Sequence, residues 1–301
     1  MKEQEFIQII KSTLNSKYIG DDCAYLKDLN ILVSQDSLVE DVHFKKDLIT
    51  PYQLGYKTVM VNISDICASG AKPLYLTISL SLPNDTNSNF IRDFYTGAKD
   101  AALGVEIVGG DITGSDKIYI SATAIGSSKG RKISSRSHAK PGYKIIVSGE
   151  HGSSAYGLEL LLKGNPEFTK NNIENKFIKS HLMPEAQIEF SRNISENIQS
   201  DYAMMDTSDG LADALFQIAK SSNVNLDIDT TKIPHDSRVD MQTVLYGGED
   251  YQLVAAVPES VLQKISGYTI IGDVKEGPFS VNFDGKTFTQ IDDKLFNHFK
   301  E

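Results

Sequence analysis

Tryptophan is absent from the 301 residues, and cysteine occurs only twice, as Cys23 and Cys67. Two cysteines cannot build a disulfide framework and suit a reducing compartment. No apolar run approaches the roughly 20 residues that a bilayer-spanning helix needs. Residues 1–15 are polar and mixed in charge, without the apolar stretch of a secretory leader. The expectation is a cytoplasmic protein with no membrane attachment. Positive charge is scarce as well: 30 Lys and Arg stand against 40 Asp and Glu, a formal net charge of -10. That balance disfavours a sequence-independent grip on nucleic acid, which needs a basic face. Anionic substrates stay open to it where divalent cations stand between the two sets of negative charge.

Familiar nucleotide-binding signatures are missing too. Gly55-Tyr56-Lys57-Thr58 lacks the ending of a Walker loop, and no glycine precedes it at the required spacing. Protein-kinase signatures and a GxGxxG fingerprint are likewise absent.

What is present is an alternation of strands and helices. Residues 74–82 alternate strictly, Leu74, Leu76, Ile78, Leu80 and Leu82 against Tyr75, Thr77, Ser79 and Ser81. Strands are also expected at 30–35, running into Asp36, and at 117–125. Pro51 opens a helix that Gly70 closes, and Phe90, Phe94, Ala98 and Ala101 give 89–103 helical spacing. Pro141-Gly142 supplies turn chemistry before a strand at 143–147. Beyond it come helices at 153–162, 184–198 and 211–221, with strands at 202–205, 224–228, 252–257 and 268–271. Asp284-Gly285 signals a type I′ hairpin joining 279–283 to 286–290. The pattern reads as an α/β (α+β) chain of two domains, 1–137 and 138–301.

Five acidic motifs stand at element ends or in glycine-bounded loops: Gly20-Asp21-Asp22, Ser34-Gln35-Asp36-Ser37, Ser64-Asp65, Gly109-Gly110-Asp111 and Asp206-Thr207-Ser208-Asp209-Gly210. Sites in α/β sheets are built at such places. Asp with neighbouring Ser or Thr is the oxygen-only set that magnesium prefers. Taken singly, each is ordinarily a turn residue, and Asp209 serves equally well as a helix N-cap. Gly149-Glu150-His151-Gly152 before a helix is either a tight turn or a phosphate site at a helix N-terminus. Cys23 has no neighbouring base and reads as a packing residue.

Taken in order, the stretches GDDCA (20–24), SQDSLVEDVHF (34–44), VNISDICASGAKP (61–73), GGDIT (109–113), GRKISSRSHAKPG (130–142), HLMP (181–184), DTSDGL (206–211) and GGEDYQL (247–253) become specific. The sequence resembles the thiamine-monophosphate kinase family, in the superfamily that also holds aminoimidazole ribonucleotide synthetase and selenophosphate synthetase. The resemblance implies an N-terminal ATP- and metal-binding domain that pairs with its copy in a homodimer, and a C-terminal α/β domain closing over the cleft. It implies ATP and thiamine monophosphate as substrates and several Mg²⁺ ions as cofactor. By position it assigns Asp21, Ser34, Gln35, Asp36, Asp65, Asp111, Asp206 and Asp209 to metal. Tyr95, Gly110, Asp111, Arg136 and Ser208 fall to ATP, and His43, Glu249 and Phe296 to the thiamine phosphate. Asp36, Asp111, Arg136 and Asp209 are the residues expected to carry catalysis. Gln35 departs from the Thr usual in the family.

In such a reaction the acceptor is itself a phosphate, already largely ionised near neutral pH, so a general base contributes little. The difficulty is to bring two anions together: unit charges about 4 Å apart repel by roughly 4 kcal/mol at an effective dielectric of 20. A metal clamp and direct in-line transfer without a phosphoenzyme are therefore expected. Selenophosphate synthetase would need a catalytic Cys or selenocysteine in a Gly-rich segment before Gly20, which has none. An idle nucleotide sensor would not need a multi-metal clamp.

Overall fold

The computed structural model describes residues 3–165 and 167–290, so Phe296 lies outside the described residues. The first half carries α1 (Glu3–Leu14), β1 (Ala24–Leu26), β2 (Ile31–Val39), α2 (Pro51–Ala68), β3 (Lys72–Leu82), α3 (Ser88–Ala101), β4 (Glu106–Gly114) and β5 (Tyr119–Ser127). Its five strands form one sheet in the order β1-β2-β5-β3-β4, antiparallel except where β3 runs parallel to β4. The second half carries β6 (Lys144–Val147), α4 (Ser153–Leu162), α5 (Lys176–Leu182), α6 (Ile188–Asn197), β7 (Ala203–Asp206) and α7 (Leu211–Ser222). It continues with β8 (Asn225–Ile228), α8 (Met241–Tyr246), β9 (Leu253–Val257), α9 (Glu259–Leu262), β10 (Thr269–Lys275), β11 (Ser280–Phe283) and β12 (Lys286–Phe288). These seven strands make a second sheet, β12-β11-β8-β10-β6-β9-β7, with β11 and β8 its parallel pair. The architecture is α/β, mixed sheets with flanking helices.

α2 is the axis of the molecule. Thr50 and Gln53 close a capping box at its start, Pro51 occupies the first turn, and Gly70 at φ +78° ends the exit turn. Most of its side chains are buried, because sheet one and α3 cover part of its surface and β7 and α6 of the second half cover another. Gly55 and Gly97 let α2 and α3 touch backbone to backbone: a Cβ on Gly55 would sit 1.9 Å from Phe94 O, and one on Gly97 1.9 Å from Tyr52 O. The hydrophobic cluster around α2 also takes in Ile146, Met204, Leu253 and Ala255, so the two sheets share core across the 128–143 connection. A second cluster surrounds α7.

The alternation expected over 74–82 is realised in β3 from Leu76 on, where Leu76, Ile78, Leu80 and Leu82 are buried; Leu74 is half-buried at the register shift between Pro73 and Tyr75. The hairpin turns at Asp284 (φ +50°) and Gly285 (φ +85°), as a type I′ turn requires. Three expectations change. Gly109-Gly110-Asp111 is not a loop but the middle of β4, and Asp36 lies inside β2, paired with Ala122, because the ladder with β5 carries that strand on to Val39. The helix expected from 184 begins only at Ile188. α5, α8 and α9, of 7, 6 and 4 residues, are too short to show a period in sequence.

Candidate active site

Strand alternation turns Ser34 and Asp36 of β2 to one face of sheet one, toward α2, and Gln35 to the other. Ser34 Oγ donates to Asp65 Oδ2, and the Asp36 backbone N–H donates to Asn62 Oδ1 at 3.2 Å, both acceptors being on α2. Gln35 is exposed and exchanges hydrogen bonds with Ser121 and Thr123 at 3.1 Å each. Only its backbone remains for the metal contact expected of it. Asp206 ends β7 in the core and accepts from Ser64 Oγ (2.6 Å) and Ser208 Oγ (2.9 Å). Asp22, in the turn before β1, completes the group: carboxylate oxygens of Asp22, Asp65 and Asp206 lie within 4.8 Å of one another.

Asp21, expected to bind metal, is not in that triplet. Its carboxylate accepts instead from Ser135 Oγ (2.9 Å) and the backbone N–H of Arg136 (2.8 Å). The sequence assigns the first of two adjacent aspartates to metal, and the path of the turn brings the second, Asp22, to Asp65 and Asp206. The Arg136 guanidinium donates to Asp22 Oδ1 at 2.7 Å. Burial works against its charge, but Asp22 and Asp21 outweigh it and raise its pKa.

Burial raises the carboxyls of Asp36 to about 7 and Asp206 to about 6, with Asp206, Asp209 and Asp22 adding to the first and Asp22 to the second. Asp65 rises well above the usual carboxylate range by burial and by the charges of Asp36, Asp206 and Asp22. So many buried carboxyls cannot ionise together without a counter-charge. Their oxygen-only ligand set fits a hard divalent cation. Arg136 Nε and Thr207 Oγ1 are buried without a hydrogen-bond partner, which leaves donors beside the carboxylates for an anionic ligand.

From Asp65 a cleft of about 550 Å³ runs between the halves. Lys57, Val61 and Asp65 line it at i, i+4 and i+8 of α2, a single stripe of that helix. Asp36, Ser208 and Asp209 share its wall. Asp209 is not a helix cap, since the N-cap of α7 is Gly210 at φ +101°. His43 also lines the cleft. Its Nδ1 accepts from the Val39 N–H at 3.1 Å, which puts the proton of the neutral ring on Nε2. Glu249, in a left-handed conformation (φ +65°), is fixed by its N–H to Ser208 O at 2.7 Å. Its carboxylate meets Lys57 Nζ at 3.2 Å and lies 3.4 Å from His181 Nδ1. Phe44, Leu48, Leu158, Leu182 and Tyr251 make the rest of the wall largely apolar.

Tyr95, Gly110 and Asp111 stand apart from this cleft. Tyr95 is half-buried on α3 with its ring 5.3 Å from that of Phe94. Gly110 and Asp111 are on the edge strand β4, in register with Ile78 and Ser79. Asp36 on β2 and Asp111 on β4 are separated by β5 and β3, three strand spacings or roughly 14 Å. The helix N-terminus at Gly152 is also spoken for: Gly152 and Ser154 donate their N–H groups to Asp250 at 2.5 and 2.8 Å, so the tight-turn reading of 149–152 holds. Lys57, His181 and Asp22 went unassigned in the sequence. Lys57 had a signal, a lone lysine four and eight residues before cleft-lining positions of one helix.

Residues 20–128 match the family described as AIR synthase related protein, N-terminal domain, which defines the class. Thiamine-monophosphate kinase of Aquifex aeolicus is 36% identical over 97% of this chain and 96% of its own. That of Bacillus subtilis is 35% identical over 94% and 93%. A solved structure described as AaThiL complexed with AMPPCP and TMP is 36% identical, covers 99% of this chain and 97% of its own, and superposes with a TM-score of 0.90. Another, thiamine monophosphate kinase from Aquifex aeolicus, is 35% identical and gives 0.85 over 96% of this chain and all of its own. The chain belongs to the thiamine-monophosphate kinase family, and it is a kinase.

Proposed function

We propose that the chain transfers the γ-phosphate of ATP to thiamine monophosphate, forming thiamine diphosphate by direct in-line attack with several Mg²⁺ ions held by its aspartates. The observation that carries this reading is the convergence of Asp22, Asp65 and Asp206 beside a cleft that Asp65 lines together with His43 and Glu249. The relatives named for this reaction, and the solved relative holding AMPPCP and TMP, support the same two substrates. Bound magnesium would offset the repulsion between donor and acceptor phosphates and polarise the transferred group. Asp36 and Asp209 line the wall beside Asp65, and Ser208 orients Asp206. His43 Nε2–H presents a hydrogen-bond donor to the acceptor phosphate. Arg136 holds Asp22 in place through its guanidinium, 2.7 Å from Asp22 Oδ1. No side chain need accept a proton, because the attacking phosphate oxygen is already ionised.

A cytoplasmic homodimer belongs to the same reading. β4 is an open edge of sheet one, with Val108 and Ile112 54% and 63% exposed, which suits pairing with a second copy. Among the described residues no helix is long and apolar enough to cross a membrane.

The test incubates the protein with ATP, MgCl₂ and thiamine monophosphate, oxidises the thiamine products to fluorescent thiochromes and separates them. Magnesium-dependent thiamine diphosphate is the expected result; its absence from folded, ATP-binding protein would refute the reading. Magnesium should also raise the melting temperature without substrate, since a ligand at 100 times its Kd adds about 2.7 kcal/mol. EDTA should reverse the shift.

A further inference from the structure

Lys57 is 1% exposed, a lysine almost wholly removed from water, yet it reaches the cleft. Its ammonium donates to Glu249 Oε2 at 3.2 Å and to the backbone carbonyl of His181 at 3.1 Å. The His181 ring, 3.1 Å from Ser154 Oγ through Nδ1, is the second neighbour of the same carboxylate. The four residues come from α2, α5, α4 and the loop before β9, so the contact joins the two halves behind the cleft.

The groups around Glu249 are Lys57 from α2, His181 from α5, His43 from the segment after β2, and Asp250 and Tyr251 of its own loop. Burial pushes the Glu249 carboxyl up, but Lys57 and His181 pull it down further, below its ordinary value. His181 itself is lowered to about 4 by burial and by Lys57, against the pull of Glu249. Lys57, at 3.2 Å, is the strongest charge holding this carboxylate down, ahead of His181 and His43. A carboxylate in a cleft that takes a phosphate would repel that phosphate, so its place is against a positive part of the substrate. Thiamine monophosphate has one, the quaternary thiazolium nitrogen.

We propose that Lys57 is a positioning residue that keeps Glu249 ionised and aimed into the cleft, giving the site a fixed negative charge for the cationic ring of its substrate. The inference rests on the functional reading above and extends it to a residue with no motif role. A buried lysine acting only as packing would not set the charge state of its neighbour; one in this position does.

The test measures KM and kcat for thiamine monophosphate from pH 6 to 9 in wild type, K57M, K57Q, K57R and E249Q, each expressed as a ratio to wild type so that titration of the substrate cancels. In K57M and K57Q the KM ratio should be about tenfold at pH 6 and shrink toward pH 9, as the unpaired Glu249 ionises late, with kcat changed much less. K57R should restore a flat profile. In E249Q the KM ratio should be raised and constant across the range, since wild-type Glu249 is ionised throughout. A pH-independent ratio in the lysine variants, or an E249Q ratio that falls to one as pH drops from 8 to 6, overturns the proposal. The second arm decides even where the neutral lysine variants do not fold. Wild type that forms no thiamine diphosphate would instead refute the functional reading.

Discussion

Asp21 and Asp22 are adjacent, yet the turn before β1 sends one carboxylate to Ser135 and the Arg136 backbone and the other to Asp65 and Asp206. The two substitutions should therefore behave differently. Asp22→Asn should lower kcat by roughly two to three orders of magnitude, the size of loss seen when a transition-state charge partner is removed. Asp21→Asn should cost less than about tenfold, the lower end for a residue that orients a ligand from behind. Steady-state kinetics of both proteins, each with an unchanged circular dichroism spectrum, decides; equal losses would place Asp21 in the metal set beside Asp22. Asp36, Asp65, Asp206 and Asp209 were legible because motif order marks them. Lys57 and His181 were not, since their roles come from contacts 192 and 68 positions away in sequence, both at Glu249.

Among the elements, α2 matters most, and its contact with α3 depends on an absent side chain. Ala is a better helix former than Gly by about 1 kcal/mol. Gly97→Ala should nonetheless destabilise, by about 1–3 kcal/mol, because its Cβ would meet Tyr52 O at 1.9 Å and force the helices apart. Gly109→Ala on β4, where an added Cβ meets nothing within 4 Å, should leave the urea midpoint nearly unchanged. Equal midpoints for the two variants would show that the α2–α3 crossing yields freely. Elements with a clear period or a strong turn signal were read correctly from sequence. β4 was not, because Gly109-Gly110-Asp111 has loop composition and becomes a strand only by pairing with β3.

At the scale of the whole molecule, one contribution to the pH dependence of stability comes from a histidine outside the cleft. His151 is buried, and its pKa falls to about 3. An unfolded histidine titrates near 6.5, so between pH 6.5 and about 3 the unfolded chain binds the extra proton. The stabilisation is complete above pH 6.5 and is lost on acidification by about 1.4 kcal/mol per pH unit. Nearby Asp250, raised to about 7 by burial, has the opposite slope as its folded form takes up a proton below 7. His151→Leu removes the first contribution and keeps the second. On going from pH 7 to pH 5 the variant should lose about 2 kcal/mol less stability than wild type, read from urea unfolding at each pH. Parallel losses would mean that His151 is protonated in the folded protein.

The sequence by itself determined the alternation of strands and helices, the oxygen-rich acidic motifs and, through their order, the family. These are local or ordered along the chain, and periodicity and motif spacing are local quantities. Tertiary structure decided which carboxylates meet, that Gln35 turns away from them, that Asp250 fills the helix N-terminus, and that a buried lysine on α2 faces Glu249. Each depends on strand register, helix crossing or a turn's path, which bring together residues far apart in sequence and are fixed only when the two sheets close on their shared core.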